Sequence, residues 1–311
     1  MLNLHVTHRA DSTALYRFAF DRHGHEDACI ACTRLDGPEH PEAWLTDGEI
    51  EIRTDQDAVI HAGQHLTMVS IAVDETTIGL EAATALAYRR LLSLVRGARH
   101  GCILRIWNYF AAINAGAGDN ERYRRFCVGR AAAVDAAFNR PPPAATAIGS
   151  VGPPDLLRVI ALCTERPGIA LENPRQTPAW RYPREYGPVP PGFSRGALTG
   201  TGPDARLLAS GTASIVGHRS LYPDDCADQL RESLANLESL LAEGSRHGPR
   251  FSLSGCTALR VYLRRPDDLA TARQVIAAST IPAEPVVYLR GDICRRELLV
   301  ELEGVFAPEH A

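Results

Sequence analysis

Two residues near the C-terminal end, Cys294 and Glu301, carry side chains that can take part in acid–base chemistry. From Leu298 to Glu303, apolar residues alternate with mostly acidic ones, which predicts a β-strand with one apolar and one acidic face. The acidic face of an antiparallel sheet usually points into water, and that is the simpler interpretation. If another part of the chain covers this face, burial raises the pKa of Glu301. A carboxyl that holds its proton near neutral pH can act as a general acid.

Other motifs give weaker candidates for a site. His23, His25, Cys29 and Cys32 resemble half of a zinc site, but the second ligand pair that zinc sites normally have is missing. The segment Gly116–Gly118 precedes a predicted helix but lacks the third glycine of a dinucleotide-binding loop. We therefore expect no metal ion and no dinucleotide cofactor.

Several arginines lie on predicted strands, helices or a long loop, and their planar guanidinium groups can pair bidentately with carboxylates. They are Arg105, Arg122, Arg130, Arg175 and Arg264. Any one of them is best explained as a solvated surface residue. Together with a single acid, they indicate a small anionic substrate and an acid-catalysed step.

The composition is typical of a globular protein, since 45% of the 311 residues are hydrophobic and 23% are charged. This length is sufficient for two domains. The net charge is -4 and no long run of Lys or Arg occurs, so we expect no nucleic-acid partner. The N-terminus lacks a signal-peptide pattern, and no apolar run approaches membrane-spanning length. We therefore expect a cytoplasmic protein that does not associate with membranes.

The periodicity of apolar residues predicts an α+β protein. Short strands are expected up to about residue 75, and regular elements follow from there. One helix is expected to end near Gly97, and three more are expected over about 119–138, 225–244 and 266–278. The expected strands cover 102–109, 156–163, 193–199, 206–216, 257–264 and 285–290.

The order of these elements is repeated. A long helix, a strand, a second helix and a further strand occur twice, and the strands after the long helices, Leu104–Trp107 and Leu259–Tyr262, are similar in sequence. We infer a duplication into two related domains, residues 1–170 and 171–311, each with two helices on one face of a mixed sheet. The other face of each sheet is then covered by the partner domain, which is a favoured place for a ligand pocket.

A proline-rich segment from Asn173 to Pro188 connects the two halves and contains too many prolines for a regular helix or a central strand. Its Arg, Gln, Trp and Tyr side chains are typical of a loop that contributes to a site. An ordinary interdomain linker is the alternative.

Six groups of residues between position 100 and the C-terminus form a combination of motifs. They are Arg105–Tyr109 with Ile113-Asn114, Glu121–Phe126 through Gly129-Arg130, Asn173–Gln176, Tyr186–Pro188 with Phe193–Arg195, Ser210–His218, and Asp292–Arg295 leading to Glu301. In this combination the chain resembles the chorismatase family, which includes 3-hydroxybenzoate synthases and chorismate hydrolases. The first hundred residues contribute little to the resemblance.

The resemblance implies two domains related to the YjgF/RidA fold and a cofactor-free active site in the C-terminal domain, near the domain interface. It implies that chorismate is the substrate and that Glu301 is the general acid, which protonates the enolpyruvyl methylene group before pyruvate leaves. The residues that the resemblance and the arginine pattern indicate for substrate binding are Gly211, Gln176, Tyr182, Arg130, Tyr186 and either Arg264 or Arg290.

Two positions in the resemblance bear on the ring product. In the family, a cysteine seven positions before the acid, with a glycine in the hairpin, is associated with 3-hydroxybenzoate, and alanines are associated with hydrolysis. Here these positions are Cys294 and Gly211, which implies conversion to 3-hydroxybenzoate and pyruvate through an epoxide-like intermediate. The alternatives are hydrolysis to a dihydroxycyclohexadiene carboxylate, a mixture with 4-hydroxybenzoate, and a non-catalytic metabolite-binding protein. A monomer and a trimer are both compatible with the resemblance.

Overall fold

The structure is a computed structural model that describes residues 4–9, 14–20, 28–139, 141–151 and 156–309. The strands are β1 (His5–Thr7), β2 (Ala14–Phe20), β3 (Ala28–Ile30), β4 (Arg34–Asp36), β5 (Glu42–Leu45), β6 (Glu51–Asp55), β7 (Ala58–Ala62), β8 (Leu66–Asp74), β9 (Cys102–Ala111), β10 (Ala144–Ser150), β11 (Leu156–Thr164), β12 (Ile169–Leu171), β13 (Gly196–Thr199), β14 (Arg206–Ala213), β15 (Ile215–Val216), β16 (Arg219–Ser220), β17 (Cys256–Leu263), β18 (Val286–Arg290) and β19 (Val300–Phe306). The α-helices are α1 (Gly79–Val95), α2 (Arg122–Ala131), α3 (Cys226–Gly244) and α4 (Leu269–Ala277).

Two of the sheets share one topology. The strand order is β10-β9-β11-β8-β7-β6 in the first and β12-β13-β14-β19-β17-β18-β4 in the second. β9 pairs in parallel with β10, as β17 does with β18, and the central strands β11 and β19 are antiparallel to both neighbours. The last strand of each repeat thus returns to the middle of its sheet. The predicted α+β class and the predicted duplication are confirmed.

Helices cover the outer faces of the two sheets, and the inner faces are buried against other parts of the chain. α1 and α2 pack on the six-stranded sheet around Leu91, and α3 and α4 pack on the seven-stranded sheet around Leu237. The inner faces contribute Trp107 and Tyr262 to a shared core. A four-stranded sheet of order β1-β5-β2-β3 adds Trp44 to this core. Two helices therefore lie on one face of each sheet, as predicted.

The N-terminal segment is interwoven with both halves. β4 pairs with β18 at the edge of the seven-stranded sheet, with Asp36 opposite Tyr288. The expected domain boundary after residue 170 falls inside β12, which pairs with β13. The strands of the six-stranded sheet lie between Glu51 and Thr164.

Several element boundaries differ from the expectation. The second helix, expected over 119–138, is limited to α2, because the chain then turns and the Asp135 side chain accepts a hydrogen bond from the Phe138 amide. β10 was not predicted, since its small residues have little β-propensity. The last strand begins at Val300, because the Leu299 amide donates to the Gln229 side chain. None of the helices in the described ranges is long and apolar enough to cross a bilayer.

Candidate active site

The acidic face of β19 is buried between the two halves of the molecule. Val300 and Leu302 point toward the helices α3 and α4 and belong to their core. The alternate residues Glu301 and Glu303 therefore point inward, and only 5% and 3% of their surfaces are exposed. The interpretation that this face points into water is wrong, because the first repeat covers it.

Glu301 faces a cavity of about 300 Å³ that both halves of the molecule line. Burial, and then the negative charge of Glu303, raise the pKa of the Glu301 carboxyl to about 8. The positive charges of Arg105, Arg195 and Arg264 act against this shift. A carboxyl with this pKa is mostly protonated at neutral pH, so it can deliver a proton to a bound molecule.

Glu303 has a different environment, although it is only two positions away. Its carboxylate accepts hydrogen bonds of 2.7 Å from Arg105, Arg260 and Tyr262, and one of 2.6 Å from Thr146. We call these five residues the Glu303 ion cluster. Arg260 also pairs with Glu42, at 2.6 Å, and all members of the cluster are buried. The partners that Glu303 has in this cluster fix its carboxylate in place, whereas Glu301 faces open space.

Gly211 closes the cavity wall beside the acid. A Cβ atom at this position would lie 2.1 Å from Glu301 Oε1 and 3.1 Å from Thr146 Cγ2. No side chain fits there without displacing the carboxyl, so a glycine is required for the observed position of Glu301.

Three arginines line the cavity with unused hydrogen-bond donors. Among the described residues, buried Arg130 Nε, Arg195 Nε and Arg295 Nη2 have no acceptor. A buried donor without an acceptor is unfavourable, so these groups favour an anionic ligand that supplies oxygen atoms. Arg295 also lies 4.0 Å above the ring of Tyr186, which keeps its guanidinium plane in place.

The proline-rich segment crosses the cavity as a loop with two short 3₁₀ turns, Ala179–Arg181 and Arg184–Tyr186. Arg184 is tied to Asp119 of the first repeat by hydrogen bonds of 2.9 and 2.5 Å. Tyr182 receives a hydrogen bond of 2.7 Å from Arg195. The loop thus connects the two repeats and supplies aromatic walls to the cavity.

Cys294 lies in the loop before β19 and lines the same cavity. Burial, and then the charge of Glu301, raise the pKa of its thiol well above the ordinary range. Cys127 of α2 lines the same wall, and burial raises the pKa of its thiol to about 11. Neither thiol ionises readily, so Cys294 is a small neutral group and is not poised as a thiolate nucleophile.

Six of the residues expected in the site meet around this cavity. They are Glu301, Cys294, Gly211, Arg130, Tyr182 and Tyr186. Gln176 and Arg264 do not line it. Gln176 donates to the Ile215 carbonyl. Arg264 donates to the carbonyls of residues 293, 295 and 298 and to Asp292, so it braces the loop that carries Cys294.

Sequence reasoning missed other lining residues. Arg195 and Arg295 lie in segments that carry the resemblance, but nothing distinguished them from the other arginines. Tyr123 also lies in a segment that carries the resemblance but was not singled out, whereas Thr146 gave no signal and lies on the strand that was not predicted. Of the five arginines singled out by pattern, four form ion pairs with protein carboxylates. These pairs are Arg105 with Glu303, Arg122 with Glu75, Arg175 with Glu232, and Arg264 with Asp292.

The structure contains no cluster of metal-ligating side chains within the part of the chain that it describes. The histidines of the weak zinc motif, His23 and His25, lie outside the described residues. Cys32 is fully buried, and burial raises the pKa of its thiol to about 12.

Comparison with known proteins identifies the family. A family model described as "Chorismatase FkbO/Hyg5-like, N-terminal" matches residues 42–163. A 3-hydroxybenzoate synthase from Streptomyces hygroscopicus is 33% identical over 295 residues, which cover 91% of this chain and 86% of that protein. The chain belongs to the chorismatase family.

Other members of the family agree with this assignment. A chorismatase from Streptomyces rapamycinicus is 38% identical over 277 residues, or 86% of this chain and 82% of the relative. A crystal structure of a chorismatase aligns with a TM-score of 0.85 and 29% identity, covering 99% of this chain and 98% of that one. The similarity to the family thus includes the first hundred residues, where no motif was recognised.

Proposed function

We propose that this chain cleaves chorismate into 3-hydroxybenzoate and pyruvate. The observation that carries the proposal is the Glu301 carboxyl, whose pKa is raised to about 8 beside a cavity with unpaired arginine donors. Family membership supports the substrate, because relatives that align over most of this chain are named chorismatase or 3-hydroxybenzoate synthase.

The first step is proton transfer from Glu301 to the methylene carbon of the enolpyruvyl group. The ether oxygen stabilises the resulting cation as an oxocarbenium ion, and the carboxylate left on Glu301 stabilises it electrostatically. A group that is protonated in the resting enzyme and becomes an anion as the cation forms suits this step. Glu303 is held by two arginines and does not line the cavity, so it cannot reach the substrate.

Arginines hold the substrate in this proposal. Chorismate carries two carboxylates, and the free donors of Arg130, Arg195 and Arg295 can bind them. Tyr182 and Tyr186 line the wall against which the ring packs. Gln176 and Arg264, which sequence reasoning placed among the binding residues, are assigned to support of the walls because their donors are already used.

The second step determines the ring product. The hydroxyl on the ring carbon next to the ether attacks the ether-bearing carbon, the C–O bond breaks, and pyruvate leaves with those electrons as a ketone. The hydroxyl proton restores the acid form of Glu301. The resulting epoxide then opens, its oxygen takes up a proton, and the ring loses one proton to give the phenol. No water is consumed. The neutral Cys294 thiol lines the cavity, and its proposed role is to take space that water would need for the competing hydrolysis.

The test is to incubate the purified protein with chorismate, measure pyruvate with lactate dehydrogenase, and identify the ring product by chromatography. We expect equal amounts of pyruvate and 3-hydroxybenzoate. Pyruvate with the non-aromatic diol would instead identify a hydrolase. Pyruvate at the uncatalysed rate would overturn the proposal. In that case, calorimetric binding of chorismate would indicate a non-catalytic binding protein.

A further inference from the structure

The strand that carries Gly211 has an irregularity opposite Glu303. In the pairing of β14 with β19, Ala209 lies opposite Gly304 and Thr212 lies opposite Leu302. Ser210 and Gly211 therefore both face Glu303, which makes a β-bulge. The bulge frees the Gly211 amide from the ladder, and it donates instead to Thr146 Oγ1 at 2.8 Å.

Thr146 belongs to β10 in the other repeat, so this bond crosses the interface. Its Oγ1 also accepts a hydrogen bond from Arg105 and donates one to Glu303 Oε2, at 2.6 Å. Because the Gly211 amide and Arg105 are both donors, the hydroxyl proton has to point at Glu303. One buried hydroxyl thus connects the Glu303 ion cluster to the bulge, and all of its hydrogen-bonding capacity is used.

The bulge also limits the space available to the Glu301 carboxyl. The position of a Cβ on Gly211 would be 2.1 Å from Glu301 Oε1, so the backbone of Gly211 packs directly against the carboxyl. A shift of this backbone away from the carboxyl opens space beside Glu301. Water that enters such a space changes both the position of the carboxyl and its affinity for a proton.

We propose that Thr146 is a positioning residue for Glu301, acting by fixing the Gly211 bulge against the carboxyl. The proposal rests on the proposed function in so far as Glu301 is the acid of the reaction. Burial is the largest cause of the raised pKa of Glu301. Loss of the Thr146 hydroxyl therefore admits water beside Glu301 and lowers the pKa of its carboxyl. It also leaves the orientation of the carboxyl, and so the direction of proton transfer, less well defined.

Removal of this hydroxyl takes one hydrogen bond from Glu303 on the same strand and one from Arg105 on β9. The other ionisable groups near Glu301 are not hydrogen-bond partners of Thr146 among the described residues. They are Arg195 before β13, Arg264 after β17, Cys294 and Arg295 on the loop before β19, and Tyr123, Cys127 and Arg130 on α2. The arginines proposed to bind the substrate are untouched, so KM changes less than kcat.

The experiment compares Thr146→Val, which has a similar shape but no hydroxyl, with Thr146→Ser, which keeps the hydroxyl. The titration of Glu301 is followed by NMR of ¹³C-labelled glutamate carboxyls, with Glu301→Gln used to assign the signal. For Thr146→Val we expect a titration midpoint lower by roughly one pH unit and a kcat lower by about tenfold with KM nearly unchanged. Thr146→Ser restores both toward the wild type.

A matched control separates this role from general destabilisation. Thr164 is a buried strand threonine whose hydroxyl bonds to the carbonyls of Cys102 and Arg166, outside the cavity lining. Thr164→Val should lower the melting temperature and leave the Glu301 titration and kcat unchanged. If Thr146→Val does not fold, Thr146→Ala removes the same hydroxyl and carries the same expectation.

An unchanged Glu301 titration and kcat in the hydroxyl-free variant would overturn the proposal, as would equal shifts in the Thr164 control. Failure of the wild type to release pyruvate from chorismate would overturn the proposed function alone. The NMR titration does not depend on turnover, so it would still test whether Thr146 controls Glu301.

Discussion

Two carboxyl groups on the same face of one strand behave differently in this molecule. Glu303 accepts hydrogen bonds from two arginines, a tyrosine and a threonine, all buried. Glu301 lies two positions earlier, equally buried, and faces a cavity in which burial and the charge of Glu303 raise its pKa to about 8. Glu303 holds the two repeats together, and Glu301 is kept protonated, so that it can deliver its proton.

The comparison shows that burial alone does not determine the role of an acid. The hydrogen-bond donors around the acid determine its role. A buried carboxylate with several donors is stabilised as an anion, whereas a buried carboxyl without them prefers to hold its proton. The arginines that satisfy Glu303, Arg105 and Arg260, occupy equivalent positions in the two repeats, each on the strand after the long helix. The duplication thus provides a pair of cations for one acid and leaves its neighbour free.

The largest expected effect is on activity when Glu301 is changed. Glu301→Gln keeps the size of the side chain but has no acidic proton, so pyruvate release should fall by about a thousandfold. The circular dichroism spectrum and the binding of chorismate should stay close to those of the wild type. A variant that retains a rate within tenfold of the wild type would show that another group delivers the proton.

The matching change at Glu303 should affect stability instead. Glu303→Gln leaves Arg105 without its carboxylate in a buried site, and breaking a buried pair by removal of one partner costs about 3–5 kcal/mol. Urea denaturation at pH 7 measures the loss, with Glu301→Gln as the control that loses no ion pair. If both variants unfold at the same urea concentration, the contrast between the two acids is wrong.

Much of the architecture around these acids could be predicted from the sequence. Helix α3 begins close to its expected start at residue 225, and the Asp225 side chain caps it by accepting a hydrogen bond from the Asp228 amide. The alternation in the last strand predicted that Glu301 and Glu303 share one face, and the similarity of Leu104–Trp107 to Leu259–Tyr262 predicted the duplication that covers this face. These features depend on local periodicity, which a single sequence records.

The different environments and roles of Glu301 and Glu303 could not be predicted from the sequence. Alternation places both on one face, but the donors that satisfy Glu303 include Thr146 and Arg105, 157 and 198 positions away. Thr146 lies on a strand of small residues that has no clear β-pattern, and the bulge at Gly211 frees an amide that regular pairing would have used. Such long-range pairings are decided by packing and leave no local trace.

The pH dependence of the wild-type rate tests whether Glu301 reacts in its protonated form. Only the protonated form of Glu301 can protonate the substrate, so the rate should be constant below a pH of about 8 and fall tenfold for each unit above it. Initial rates of pyruvate release from pH 6 to about 10 measure this. A rate that rises with pH through this range would indicate that the reacting form of Glu301 is the anion.

The proton that Glu301 holds should also affect folding. Between the ordinary pKa of 4.5 and the raised value of about 8, the folded chain keeps a proton on Glu301 that the unfolded chain releases. The free energy of unfolding therefore decreases as pH rises through this window. Glu301→Gln lacks this contribution, so its stability relative to the wild type should increase from pH 5 to 8. A constant difference would contradict the raised pKa.

The smallest expected effect concerns the neutral thiol beside the acid. Cys294→Ala removes one sulfur atom from the cavity wall and leaves space that approaches the size of a water molecule, about 30 Å³. Water can then compete with the ring hydroxyl, so the diol should increase several-fold relative to 3-hydroxybenzoate while pyruvate release changes little.

Chromatography of the products measures this ratio, and Cys163→Ala is the matched control, because Cys163 is buried in β11 and does not line the cavity. The control should lower stability without altering the products. If Cys294→Ala gives the wild-type ratio, then the thiol only fills space, and the route taken by the ring must be set by Glu301 and by the arginine and tyrosine walls. That outcome would extend the contrast within β19, because a single acid without donors would then determine both the cleavage and its product.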